Sequence, residues 1–227
     1  MDILRLYGSM RMRVRFSLFA IALLVFPTPN LNADTLPGSW QGRDIGDVGL
    51  SGTASFNENT RTFTVAGAGA DIWGTADAFH YVSRQLLGLR FTTTITARVT
   101  AEQNTNQFAK AGIMFRAGTG ASDAYVILDV KPDGCVEFMT RPSAGAATTF
   151  VATGGSCGTP RWLRLTRAGS TFGAAVSGDG AAWQPIGTTT ATLPSAAIAG
   201  LAVTSHDNAV LNTATFDSAS VAIVSPP

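Results

Sequence analysis

The stretch Ala109-Lys110-Ala111-Gly112-Ile113-Met114-Phe115-Arg116 decides how this chain is read. It contains no proline, and it sits between the polar run Glu102 to Gln107 and the punctuation Gly118-Thr119-Gly120. Residues two apart in a strand share a face. Ala111, Ile113 and Phe115 therefore fall on one side, and Lys110, Met114 and Arg116 on the other. The first side reads as core. The second is basic and long-armed, and marks a candidate ligand surface.

The same period extends to three other segments. Val126, Leu128 and Val130 form one side, as do Val136 and Phe138, and Leu163 and Leu165. Opposite them lie Tyr125, Ile127 and Asp129; Glu137, Met139 and Arg141; and Trp162 and Arg164. If these strands share a sheet, they present one face of aromatics, methionine and guanidiniums. Sugar rings stack on aromatic faces, and arginine forks hydrogen-bond hydroxyls or carboxylates. The competing reading packs this face under a loop and pairs its arginines with Asp129 and Glu137.

No stretch sustains a helical period. Short segments broken by Gly, Asn, Asp and Pro predict strands near 49–56, 61–67, 77–85, 89–100, 108–116, 123–130, 134–141, 147–152, 161–167, 170–177, 182–187, 198–205 and 210–224. Pro132-Asp133-Gly134 and Gly178-Asp179-Gly180 are hairpin-type turns. The fold class is all-β, an antiparallel β-sandwich or barrel.

Residues 1–33 do not resemble fold. Arg11, Arg13 and Arg15 precede the apolar run Phe16 to Phe26, which Pro27, Pro29 and Asn30 break, and Leu31-Asn32-Ala33 resembles a cleavage site. This is the plan of a secretory signal peptide. The apolar run is 11 residues, too short to span a bilayer as a helix, so no stable membrane insertion is expected after cleavage. One domain would then occupy 34–227. It keeps 12 basic and 14 acidic side chains, a balance that does not favour nucleic acid. Cys135 and Cys157, in an exported chain, read either as a disulfide or as two free buried thiols.

Catalytic signals are thin. The mature part holds three glutamates (Glu58, Glu102 and Glu137) in no paired-carboxylate pattern. Its two histidines, His80 and His206, are too few for a zinc site without the cysteines. Ser177-Gly178-Asp179-Gly180 with Trp183 resembles a sialidase turn but occurs once, which argues against a propeller.

Several strings together resemble a known family. They are Asp44-Ile45-Gly46, Gly69-Ala70-Asp71-Ile72-Trp73-Gly74, Asp77-Ala78-Phe79-His80-Tyr81-Val82, Lys110 to Arg116, Trp162-Leu163-Arg164-Leu165-Thr166-Arg167, Ser177-Gly178-Asp179-Gly180 with Trp183, and Gly200-Leu201-Ala202-Val203-Thr204-Ser205-His206. In this order the chain is similar to secreted bacterial concanavalin-A-like domains of unknown function, sometimes called "regulation of enolase protein 1". It also resembles the domain that follows the catalytic propeller in some β-xylosidases. The resemblance implies a jelly roll and an extracellular polysaccharide setting. It supplies no catalytic residue. Related modules hold a structural Ca²⁺, for which Asp44 and Asp217 are the candidates here, and no other cofactor is expected.

These readings converge on a secreted, non-catalytic glycan-binding domain whose partner is an extracellular poly- or oligosaccharide. Its candidate ligand residues are Lys110, Arg116, Tyr125, Arg141, Trp162 and Arg164, with Trp73 and His80 nearby. Two rivals remain. One is a glycoside hydrolase or lyase on the same face, with His80 or Tyr125 as base. The other is an envelope module whose face meets a protein partner.

Overall fold

The computed structural model describes residues 36–86 and 92–224. The predicted leader, and the start of the strand predicted at 89–100, lie outside the described residues. The described residues belong to one compact unit spanning 33–227. They contain strands and turns but no helix.

In chain order the strands are β1 (Gln41–Ile45), β2 (Thr53–Asn57), β3 (Thr62–Gly69), β4 (Asp71–Trp73), β5 (Ala76–Gln85), β6 (Thr92–Glu102), β7 (Lys110–Arg116) and β8 (Tyr125–Val130). They continue with β9 (Val136–Arg141), β10 (Thr149–Ala152), β11 (Arg161–Ala168), β12 (Thr171–Ser177), β13 (Gln184–Thr190), β14 (Ile198–Thr204) and β15 (Asp207–Val224). The predicted segments correspond to these strands to within a few residues. Strands β1 and β4 were not expected. Both are short, and neither shows a period the eye can use.

All pairings are antiparallel. One sheet runs β1-β5-β14-β7-β8-β9-β10, with β4 added to β5, and the other runs β13-β12-β11-β6-β15-β3-β2. The two pack face to face as a jelly-roll sandwich. Their inner sides share one core, in which Ile113, Phe115, Val126, Leu128, Val130, Val136 and Phe138 of the first sheet meet Leu163, Leu165, Ile95, Phe172 and Phe216 of the second. Each such side chain contributes roughly 1.5–3 kcal/mol through burial. The nine of these that lie on β7, β8, β9 and β11 are residues that the alternation assigned to the core, and all nine are buried in it.

One assumption is corrected. Strands β7, β8 and β9 are neighbours, but β11 belongs to the other sheet. A period of two gives the face of a strand and not its sheet, and the inner sides of both sheets look alike because they fill the same core. Trp162 and Arg164 therefore lie on the opposite outer surface from Lys110, Arg116 and Arg141.

The outer side of the first sheet is not bare. The β4–β5 hairpin lies across it as a strap. The chain enters the strap at Gly69, where φ is 129° and an added Cβ would sit 1.9 Å from the Ala78 carbonyl oxygen. Thr204 Oγ1 donates to Gly69 O and Ala78 O at this end. At the far end the Thr148 N–H donates to Gly74 O at 2.7 Å. Under the strap, Ile72, Phe79, Tyr81, Met114, Tyr125, Ile127 and Met139 form a second buried cluster. Strand β7 is consequently buried at every residue, on both faces.

Cys135 and Cys157 are joined in a disulfide. It ties the segment before β11 to the turn before β9, beside a bond from Gly158 N–H to Gly134 O.

Candidate binding groove beside the strap

Register places Arg116, Tyr125 and Arg141 in one row across β7, β8 and β9. Three long polar side chains pointing outward from adjacent strands need partners, and the strap supplies them. Asp77 Oδ2 accepts from Arg116 Nη1 at 2.7 Å and from Arg141 Nη1 at 2.5 Å. Arg141 Nη2 donates to Asp77 Oδ1, Trp73 O and Gly74 O, and Arg116 Nη2 donates to Gly120 O and Ala121 O. The side chains of all three charged residues have no exposed surface. Burial pushes the Asp77 carboxyl upward, opposed by the Arg141 hydrogen bonds and the Arg116 charge. Tyr125 lies between the two guanidiniums, donates to Ile72 O and meets Thr148 Oγ1 at 2.8 Å. Its phenol is pushed up by burial, so it has neither the access nor the acidity of a lyase base. Arg116, Arg141 and Tyr125 are therefore interior residues. The sequence reading put them on the correct side of the sheet, but the strap covers that side.

What stays open is a groove of about 280 Å³ along the strap's edge. Asp71 and Trp73 of the strap form one wall. Glu137, Met139 and Phe150, from β9 and β10, form the other, and Phe108 and His206 close the end near Lys110. Trp73, Phe108 and Phe150 are 42%, 46% and 47% exposed, which makes them three of the six large apolar side chains that the described surface exposes. Lys110 Nζ donates to Asp71 Oδ1 at 2.6 Å and to Phe108 O at 3.0 Å, so its charge is already neutralised. His206 stands 3.4 Å from Asp71 without hydrogen-bond alignment, and its ring tilts against Phe108 at 5.4 Å.

Asp129 is the direct cross-strand neighbour of Glu137. It is fully buried, and burial followed by the Glu137 charge holds its carboxyl well above the usual range. A fully buried carboxyl offers nothing to a molecule in the groove. The arrangement presents ring faces and hydrogen-bond acceptors, suited to gripping a polyhydroxylated ligand.

The other sequence candidates lie elsewhere. His80 is buried at the sandwich edge, where its Nδ1 meets Asp44 Oδ1 at 2.7 Å and Asp44 also accepts from Gly52 N–H. Asp217 binds Arg98 across the second sheet. Asp44 and Asp217 thus sit on strands of different sheets, each already engaged. Among the described residues no group of three metal-ligating side chains comes together. On the outer face of the second sheet, Arg164 stacks on Trp183 at 3.6 Å and Trp162 meets Trp183 edge-on at 6.4 Å. Of the predicted ligand residues, only Lys110 and Trp73 meet in the groove. Phe108, Phe150 and Asp71 were missed. The available signal was a lone aromatic in a polar setting, in Asn106-Gln107-Phe108 and Thr148-Thr149-Phe150.

No protein-family profile matches the sequence, and no curated protein matches it. Solved structures do. A functionally unknown protein from Saccharomyces cerevisiae superposes with a TM-score of 0.61 at 16% identity, over 83% of this chain and 98% of that one. The GH43 protein BlXynB from Bacillus licheniformis gives 0.61 at 14% identity, over 84% of this chain but 38% of that one. Lectin II from Ulex europaeus gives 0.51 at 9% identity, over 82% and 92%. The fold is that of the concanavalin-A-like jelly-roll proteins. At these identities the likeness establishes fold and nothing finer.

Proposed function

We propose that this is a secreted carbohydrate-binding domain that takes a neutral sugar chain in the groove beside the strap, without cleaving it. The observation that carries this is the convergence of Trp73, Phe108 and Phe150, exposed, on one groove rimmed by carboxylates. Solvent-exposed aromatic rings gathered in a concave, polar-edged site are a ligand platform more than a packing device. Asp71 and Glu137 supply acceptors for hydroxyls. The preference for neutral sugar follows from charge, because Lys110 is paired with Asp71 and the two arginines are sealed beneath the strap. Fold neighbours that include a lectin support this reading. The basic, apolar N-terminal pattern and the disulfide support export.

The test is a pull-down on insoluble polysaccharides, followed by calorimetry on oligosaccharides. Wild-type protein is expected to bind a neutral glycan. The pair Trp73→Ala and Phe150→Ala should weaken binding about tenfold or more with an unchanged circular dichroism spectrum, since each stacked ring is worth on the order of 1 kcal/mol. Absence of binding to every neutral glycan would end the proposal.

A further inference from the structure

The larger cavity, of about 610 Å³, lies away from the groove, between Trp40, Phe56 of β2, Phe63 of β3, Arg84 of β5 and the stretch of β15 from Asp217 to Val221. Its aromatic wall is preset. Phe63 packs on Phe56 at 4.6 Å and on Trp40 at 5.2 Å, leaving Trp40 and Phe56 partly exposed toward the cavity.

Two guanidiniums reach this space, those of Arg61 and Arg84. Five other arginines are engaged within the described residues. Arg98 has Asp217, Arg116 and Arg141 share Asp77, and Arg161 and Arg167 donate to backbone carbonyls. Arg61 and Arg84 have no hydrogen bond or ion pair among the described residues, and the contact Arg61 does make is with the Phe56 ring at 5.9 Å. An arginine fork left free beside an aromatic face is a receptor for an oxyanion.

The backbone gives a second, independent indication. Among the described residues three non-glycines have φ in the left-handed region, Arg61 (54°), His206 (56°) and Ser218 (53°). Such conformations cost of order 1–3 kcal/mol each and cluster at ligand sites. His206 lies in the groove already described. Arg61 and Ser218 both line this cavity. Ser218 sits where the β15–β6 register slips by one residue between Asp217 and Ser220, a bulge of the kind that re-aims side chains at sites.

We infer that this cavity is a second, separate carbohydrate site, for an acidic saccharide. Arg61 and Arg84 take a carboxylate or sulfate group, Trp40 and Phe56 bear the ring, and Ser218 and Ser220 meet its hydroxyls.

The experiment is calorimetry on the full folded domain with an oligogalacturonate, a sulfated oligosaccharide of equal length, a neutral oligosaccharide of equal length, and sodium sulfate. At least one of the two acidic saccharides binds, and which one identifies the oxyanion. Affinity falls with ionic strength, as for an exposed ion pair. The pair Arg61→Gln and Arg84→Gln weakens it about tenfold or more, the range of a charged hydrogen bond. Trp73→Ala with Phe150→Ala leaves it unchanged. If the double arginine variant is unstable, Arg61→Gln alone, in an exposed turn, serves as the probe. The inference is overturned if neither acidic saccharide binds, or if binding survives the arginine substitutions within twofold.

Discussion

Arg141 grips Asp77 at two points, with Nη1 at 2.5 Å from Oδ2 and Nη2 at 2.7 Å from Oδ1. Arg116 adds a third contact from the neighbouring side. One carboxylate on the strap thus pairs with two guanidiniums on the sheet, and all three are sealed from water. Removing the carboxylate leaves two guanidinium charges in the interior without a counter-ion. Asp77→Asn should lower unfolding free energy by roughly 3–5 kcal/mol, read from urea denaturation. Replacing all three by apolar residues of like volume should recover most of the loss. A single-variant loss below about 1 kcal/mol would mean that the triad does not anchor the strap.

Stability should decline as pH rises through neutrality. Glu102 is pushed up to about 8, mainly by burial and against the hydrogen bond from Asn212. Asp129 is raised well above its ordinary value, again chiefly by burial. Between about pH 4.5 and 8 the folded chain holds more protons on Glu102 than the unfolded chain does. Raising pH across that window therefore favours unfolding, by up to about 1.4 kcal/mol per pH unit. Glu102→Gln should flatten this slope, matching wild type near pH 4 and exceeding its stability at pH 8. Chemical denaturation at several pH values reads this directly.

Gly69 is the entry to the strap and has no room for a side chain. Gly69→Ala drives a methyl into the Ala78 carbonyl at a φ that alanine avoids. A loss of about 2 kcal/mol or more is expected, with increased proteolysis within 70–78. Wild-type resistance to proteolysis in the variant would place the strap's anchorage elsewhere.

The disulfide spans 22 residues of sequence. Cys135→Ser with Cys157→Ser should cost roughly 3 kcal/mol through loop entropy, seen as a lower denaturation midpoint with little change in groove ligand affinity. Loss of ligand binding in a still-folded double variant would tie the groove to that linkage.

The sandwich core was legible because alternation is local. Ile113 and Phe115, or Leu163 and Leu165, declare their side within three residues. Partnership is not local. Asp77 lies 39 residues from Arg116 and 64 from Arg141, and no pattern in either segment announces the other. The strap was missed for a related reason: β4 is three residues long, Asp71-Ile72-Trp73, too short to show a period. Hence of the two readings of this face the covered one holds, although its arginines pair with Asp77 and not with Asp129 or Glu137. The aromatic groove escaped for the opposite reason. Phe108 and Phe150 come from loop and edge positions, and only folding reveals that they face Trp73.

Because β7 carries packed side chains above and below, the centre of the first sheet is three layers thick. Its amide hydrogens cannot meet solvent through a local opening of either neighbour layer alone. Ile113 and Met114 should exchange for deuterium at the rate of whole-molecule unfolding, whereas Phe108 and Phe150 should exchange orders of magnitude sooner. The residues that hold the molecule together and those that greet a ligand would then separate cleanly on one time axis.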